Sequence, residues 1–156
     1  MAGKLVKTIF DTRVFTVQTG YFYNREDCWA HIEDSNAKVG VSEYMQKSKG
    51  EIVALETIEA GSEVKQGQEI GKVETMKAVF TIISPVTGRI MEVNHQLKSN
   101  PPLINNHPYG AGWIYRVKLS NFEDDRGKLL QAEDYLALAL TKFSECFASI
   151  RSRVQT

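Results

Sequence analysis

Apolar and polar positions alternate from Val14 to Val41. Val14, Phe15 and Val17 lead through Tyr21-Phe22-Tyr23 to Trp29 and Ile32, the polar run Glu33-Asp34-Ser35-Asn36 interrupts, and Ala37, Val39 and Val41 resume. A period of two on both sides of a polar turn predicts a β-hairpin. Ser42, with a hydroxyl suited to capping, opens a short helical segment that Gly50 closes before a strand begins at Ile52 and Ala54. The stretches Gly61 to Ile70 and Ser84 to Ile90 each read as turn, strand, turn, strand, which suggests two similar halves. They flank the strand-like runs Gly71 to Thr75 and Ala78 to Ile83.

Further on, Asn94 to Trp113 is rich in Asn, Pro and Gly and predicts an ordered but irregular excursion, followed by a strand from Ile114 to Leu119. The period then lengthens. Leu129, Leu130, Ala132, Tyr135, Leu136, Leu140, Phe143, Cys146, Phe147 and Ile150 recur at spacings of three and four, as on one face of a helix. The expected fold class is mainly β with C-terminal helices (α+β). Residues 1–20 form an N-terminal extension, 21–120 the β domain, and 121–156 a helical segment packed on it.

A chain of 156 residues can bury about 70% of the surface its unfolded form exposes, enough for one core. Nineteen basic and nineteen acidic residues cancel without long blocks, so the electrostatic footprint of a nucleic-acid binder is missing. No apolar run approaches membrane-spanning length and none near the start has the form of a secretory signal, which predicts a cytoplasmic protein. Cys28 and Cys146 are too few for a disulfide framework and have no partners at zinc-ligand spacing. Cys28 and His31 lie three apart on a strand and point to opposite faces, and His95 and His107 lack acidic or thiol neighbours at ligand spacing, so no metal site is expected.

The candidate chemistry is at Glu74-Thr75-Met76-Lys77-Ala78, a strand-to-strand connection without glycine, proline or asparagine. A lysine at such a tip is offered to solvent, where another enzyme can acylate it. A lysine amine has a reference pKa of about 10.4, and nothing in the turn is placed to deprotonate it, so modification in trans is expected.

These residues, with Tyr23, Trp29, Val39-Gly40-Val41-Ser42-Glu43-Tyr44, Gly50-Glu51-Ile52-Val53, Ser84-Pro85-Val86-Thr87-Gly88-Arg89-Ile90, Val93-Asn94, Pro108-Tyr109-Gly110 and Gly112-Trp113, resemble the glycine-cleavage H-protein family. The resemblance covers roughly residues 21 to 140. It implies a flattened barrel-sandwich hybrid of two antiparallel sheets, with lipoate in amide linkage to Lys77 on a hairpin turn and Glu74, Thr75, Met76 and Ala78 around it. It also implies a non-catalytic carrier: the cofactor supplies thiol–disulfide chemistry and the protein supplies presentation. A lipoate-protein ligase or other lipoyl-attachment enzyme is the implied modifier.

The sequence departs from the family at the expected arm cleft. A glutamate usually precedes the first-hairpin tryptophan and an aspartate usually follows the lipoyl lysine by four; Cys28 and Thr81 stand there instead. A protonated amine withdrawn from water needs opposite charge, so the loss removes a cradle for a cationic aminomethyl arm, with Glu26 able to restore one charge. In this respect the chain is similar to the H-protein-like lipoate-binding proteins of heterodisulfide-reductase-like sulfur oxidation. The preferred expectation is accordingly a shuttle of sulfur-bound intermediates and electrons, with a heterodisulfide-reductase-like complex as partner. The first alternative is the glycine cleavage H protein carrying an aminomethyl group among glycine decarboxylase, aminomethyltransferase and dihydrolipoamide dehydrogenase. The second is a biotin carrier, since biotin domains also place a methionine before their lysine. Cys28 is read either as a thiol able to exchange with the arm or, in the slightly preferred reading, as a small core residue.

Overall fold

The computed structural model describes residues 5–10 and 13–142, with side chains from Phe15 onward. In chain order its strands and helices are β1 (Leu5–Phe10), β2 (Arg13–Gln18), β3 (Phe22–Tyr23), β4 (Cys28–Glu33), β5 (Asn36–Val41), α1 (Glu43–Lys49), β6 (Ile52–Thr57), β7 (Glu63–Val64), β8 (Glu69–Thr75) and β9 (Val79–Ile83). They continue with β10 (Gly88–Val93), α2 (Gln96–Ser99), α3 (Pro102–Asn106), β11 (Tyr115–Leu119) and α4 (Phe122–Arg126), and a helix α5 spans 132–142.

Two antiparallel sheets, not closed, build the body: six strands in the order β3-β4-β5-β11-β10-β7 and three in the order β6-β8-β9. Their shared core takes Cys28, Ala30, Val39 and Val117 from the larger sheet and Ile70, Val73 and Ile82 from the smaller. Tyr115 ties the layers, donating its hydroxyl to the Ile70 carbonyl and accepting from the Ile58 N–H at 2.9 Å. The two stretches that flank the lysine hairpin in sequence bond to each other, Gly67 N–H to Ser84 O at 2.8 Å and Ile90 N–H to Ser62 O at 2.8 Å.

A second cluster forms on the other face of β4, whose alternation sends Cys28 and Ala30 inward and Trp29 outward. Trp29 is buried there with Phe15, Val17, Tyr23, Tyr44, Ala132, Tyr135 and Ala139. Its indole N–H is shared between the carbonyls of Val41 and Pro108, each at 3.0 Å, and Tyr23 stacks on Tyr135 with centroids 4.4 Å apart. Opposite Trp29 in the ladder is Gly40, where any Cβ would stand 2.6 Å from the indole ring.

The structure departs from the sequence reading in four places. Within the expected 1–20 extension, Arg13–Gln18 form a strand that pairs with β1 in a separate two-stranded sheet, and its Phe15 and Val17 are buried in the second cluster. The expected irregular excursion contains two one-turn helices, α2 and α3. Asn94 Oδ1 accepts from Gln96 N–H at 3.3 Å, and Pro101 and Pro102 suit a first helical turn. Ser42 does not cap α1; its hydroxyl is 2.6 Å from that of Tyr135 instead. Leu130 precedes α5 and bridges to Tyr23 through two backbone bonds of 2.8 Å. Phe143, Cys146, Phe147 and Ile150 lie outside the described residues.

Candidate functional site: the Lys77 turn and the adjoining edge of β9

Strands β8 and β9 pair from Glu69↔Ile83 to Glu74↔Val79 and leave Thr75 to Ala78 as the tip. Thr75 N–H donates to Ala78 O at 2.9 Å. The Thr75 hydroxyl accepts from the N–H groups of Lys77 and Ala78 at 3.2 and 3.3 Å. A threonine side chain thus satisfies the backbone donors that a glycine or asparagine turn would otherwise arrange. No left-handed conformation is needed: Asp27 and Asp34 are the positive-φ non-glycine positions among the described residues.

Thr75 is held from below. It is 5% exposed, pairs with Ile52, and faces Gly50, whose φ of 102° favours glycine and where a Cβ would lie 3.6 Å from that of Thr75. Beyond this anchor the chain emerges abruptly. Met76 is 87% exposed, and Glu74, Lys77, Ala78 and Val79 are exposed with it. Among the described residues no hydrogen bond or ion pair holds the Lys77 amine. Its Nζ is therefore presented on a stiff support and left available.

The three expected cleft residues do not share one wall. Glu26 is exposed at the mouth of a cavity of about 260 Å³ that Asn24, Ile83, Ser84, Lys128 and Leu129 also line. Cys28 is fully buried, its Sγ donating to Glu26 O at 3.7 Å, and burial pushes the thiol up to about 12. A thiol so protonated is a poor nucleophile, which supports its reading as a core residue. Thr81 is half-buried and pairs with Lys72, so alternation puts it on the opposite face of β9 from the buried Ile82.

Sequence reasoning missed the neighbouring charge cluster. Asp27 is 2% exposed and left-handed at φ 71°. One carboxylate oxygen accepts from the Tyr135 hydroxyl at 2.8 Å and from Lys142 Nζ at 3.0 Å, while Lys49 Nζ stands 3.8 Å from the other. Lys49 also lies over the Phe80 ring of β9, 4.8 Å from its centroid. Asn24 closes the arrangement, donating to Ile83 O at 2.9 Å and accepting from Cys28 N–H at 2.9 Å. The sequence carries no local signal for it: Asp27 follows the turn residues Arg25 and Glu26, where no turn rule requires a buried acid.

The remaining candidates are structural or peripheral. His31 stacks on Tyr21 at 4.4 Å, His95 and His107 are exposed, and no group of three or more His, Cys, Asp or Glu among the described residues could hold a metal ion. No helix of the described residues is long and apolar enough to cross a membrane.

Comparison with known proteins places this geometry in context. A family model described as glycine cleavage H-protein matches residues 21–142. The chain is 41% identical over 122 residues to a probable glycine cleavage system H protein of Pyrococcus abyssi, covering 78% of this chain and 90% of that protein. To the glycine cleavage system H protein of Alcanivorax borkumensis it is 43% identical over 109 residues, 70% of this chain and 84% of the relative. The crystal structure of a glycine cleavage system H protein from Mycobacterium marinum superposes with a TM-score of 0.69 at 29% identity, covering 78% of this chain and 97% of that one. With the match spanning both sheets, the lysine hairpin and α5, the chain belongs to the glycine cleavage H-protein family.

Proposed function

We propose that the chain is a non-catalytic lipoyl carrier with lipoate in amide linkage to Lys77, acting as the shuttle component of a glycine cleavage system. The observation that carries this is the exposed, unpartnered Lys77 amine on a turn braced by Thr75. The residues present fit such a group: the amine is accessible to an attaching enzyme, and Glu74, Met76 and Ala78 leave the tip open around it. When bound, the dithiolane supplies reversible thiol–disulfide and carrier chemistry. This chain's own residues hold the attachment point rigid and keep the buried Cys28 thiol out of exchange. The 21–120 unit is the carrier body, with α4 and α5 following it as a helical brace. The partners are a lipoate-attaching enzyme, glycine decarboxylase, aminomethyltransferase and dihydrolipoamide dehydrogenase, and the compartment is the cytoplasm.

One observation favours a second reading, carriage of sulfur-bound intermediates to a heterodisulfide-reductase-like complex. The acids that would cradle a cationic arm are replaced at Cys28 and Thr81, and the buried carboxylate next to Cys28, Asp27, is already met by two lysines. Offering lipoylated protein to glycine decarboxylase and aminomethyltransferase decides between them. Rapid aminomethyl loading, read by intact mass, supports the glycine reading; failure to load beside a competent H protein transfers support to the sulfur reading.

A further inference from the structure

Apolar side chains exposed singly on a surface carry no meaning by themselves. Here they are grouped. Four large hydrophobic side chains are exposed among the described residues, and three of them, Val53, Met76 and Val79, come to the end of the small sheet that carries Lys77, while Met91 is on β10 of the larger sheet. The register accounts for the grouping. Ala54 pairs with Glu74 and Glu74 with Val79, so these three share one face. A register shift between Ile52 and Ala54 sets Val53, 44% exposed, beside that row. The next row across the same strands is Glu56, Lys72 and Thr81. A shallow hollow of about 150 Å³ opens on the two rows, lined by Ala54, Leu55, Glu56, Lys72, Glu74 and Val79. It is apolar at Ala54 and Val79 and carries two carboxylates against one ammonium. Neither Glu56 nor Glu74 joins a salt bridge among the described residues.

The reach of the bare lysine selects what covers this face. Before acylation the amine stands no farther than one lysine side chain from the tip, so the acylating enzyme must press its active site against the hairpin itself. Enzymes that act on the finished arm meet it at the arm's far end. We infer that the outer face of the small sheet, comprising Val53, Val79 and the acid-rimmed hollow, is the docking surface for the lipoate-attaching enzyme, which covers it with an apolar contact ringed by Lys or Arg. The inference rests on lipoylation of Lys77 in the reading above and says where that enzyme is received. The two valines supply contact area, and the excess of one carboxylate sets the sign of the partner's rim. On the docked chain the deprotonated Lys77 amine attacks the carbonyl of a lipoyl adenylate held by the enzyme. The amide bond forms, AMP leaves with the electron pair of the broken bond, and the proton passes to solvent.

The test is steady-state lipoylation of the full chain by a lipoate-attaching enzyme, read by intact mass, with KM and kcat for the carrier determined separately. Val53→Thr and Val79→Thr keep the branched shape that suits a strand and lower its apolarity. Each is expected to raise KM roughly two- to fivefold with kcat kept, and the pair about tenfold. Glu56→Lys should raise KM further at low salt than at 1 M salt, because the charge contribution is screened. Met91→Thr, on the other sheet, should leave KM unchanged. Unchanged thermal midpoints show that the variants fold. A KM that neither valine substitution alters, an equal rise with Met91→Thr, or a fall in kcat at constant KM overturns the inference. A rise in KM found with glycine decarboxylase and not with the attaching enzyme assigns the face to another partner and overturns it too. A wild-type chain that takes no lipoate counts against the proposed function itself and is distinguished from a failure of docking by the variants.

Discussion

Thr75 is the residue on which the presentation of Lys77 depends, because its hydroxyl accepts the two tip N–H groups. Thr75→Val keeps the shape and removes the acceptor. The expected result is a loss of about 1 kcal/mol in local stability, seen as faster amide exchange at Lys77 and Ala78 and slower lipoylation, with the global unfolding midpoint little changed. Cys28 makes a separate prediction. Its thiol is pushed up to about 12 by burial, so the folded state keeps a proton that the unfolded chain releases near pH 8.5 to 9. Unfolding then releases a proton over that window, and stability falls as pH rises from about 9 toward 12. Burial also raises Tyr115 to about 12 and Tyr135 well above its ordinary range, adding to the loss above pH 10. Denaturant titrations should show this decline, and Cys28→Ala should flatten its portion between pH 9 and 10.

Among the elements, the brace formed by α5 against β4 and α1 is the most exposed to test. Tyr135 links Ser42 and Asp27 through one hydroxyl, so Tyr135→Phe leaves two buried polar groups short of a partner. A destabilisation of about 1 to 3 kcal/mol is expected, read as a lowered urea midpoint at constant slope. Gly40→Ala drives a methyl into the Trp29 indole and should cost about 1 to 3 kcal/mol by overpacking. Alternation made the β4–β5 and β8–β9 hairpins legible in the sequence, because strands buried on one face carry a period of two. The 3.6-residue period likewise revealed α5. The helices α2 and α3 were hidden because one turn is too short to show a period, and the role of Ser42 because its partner Tyr135 is 93 residues away. At the site, Lys77 could be read from its local context, whereas the Asp27 cluster joins residues from three separated segments and has no local signature.

Taken whole, the molecule is a scaffold whose two sheets and aromatic brace hold one lysine outward. In the proposed function the capacity to carry is set by the Lys77 amine. The most direct measurement is the mass of the chain, and of its Lys77 peptide, after co-production with a lipoate-attaching enzyme. One lipoyl group on the wild-type chain, located at Lys77 and absent from Lys77→Arg, is the predicted result. A chain that remains unmodified beside a control H protein that is fully lipoylated, or one bearing biotin at Lys77, would contradict the account.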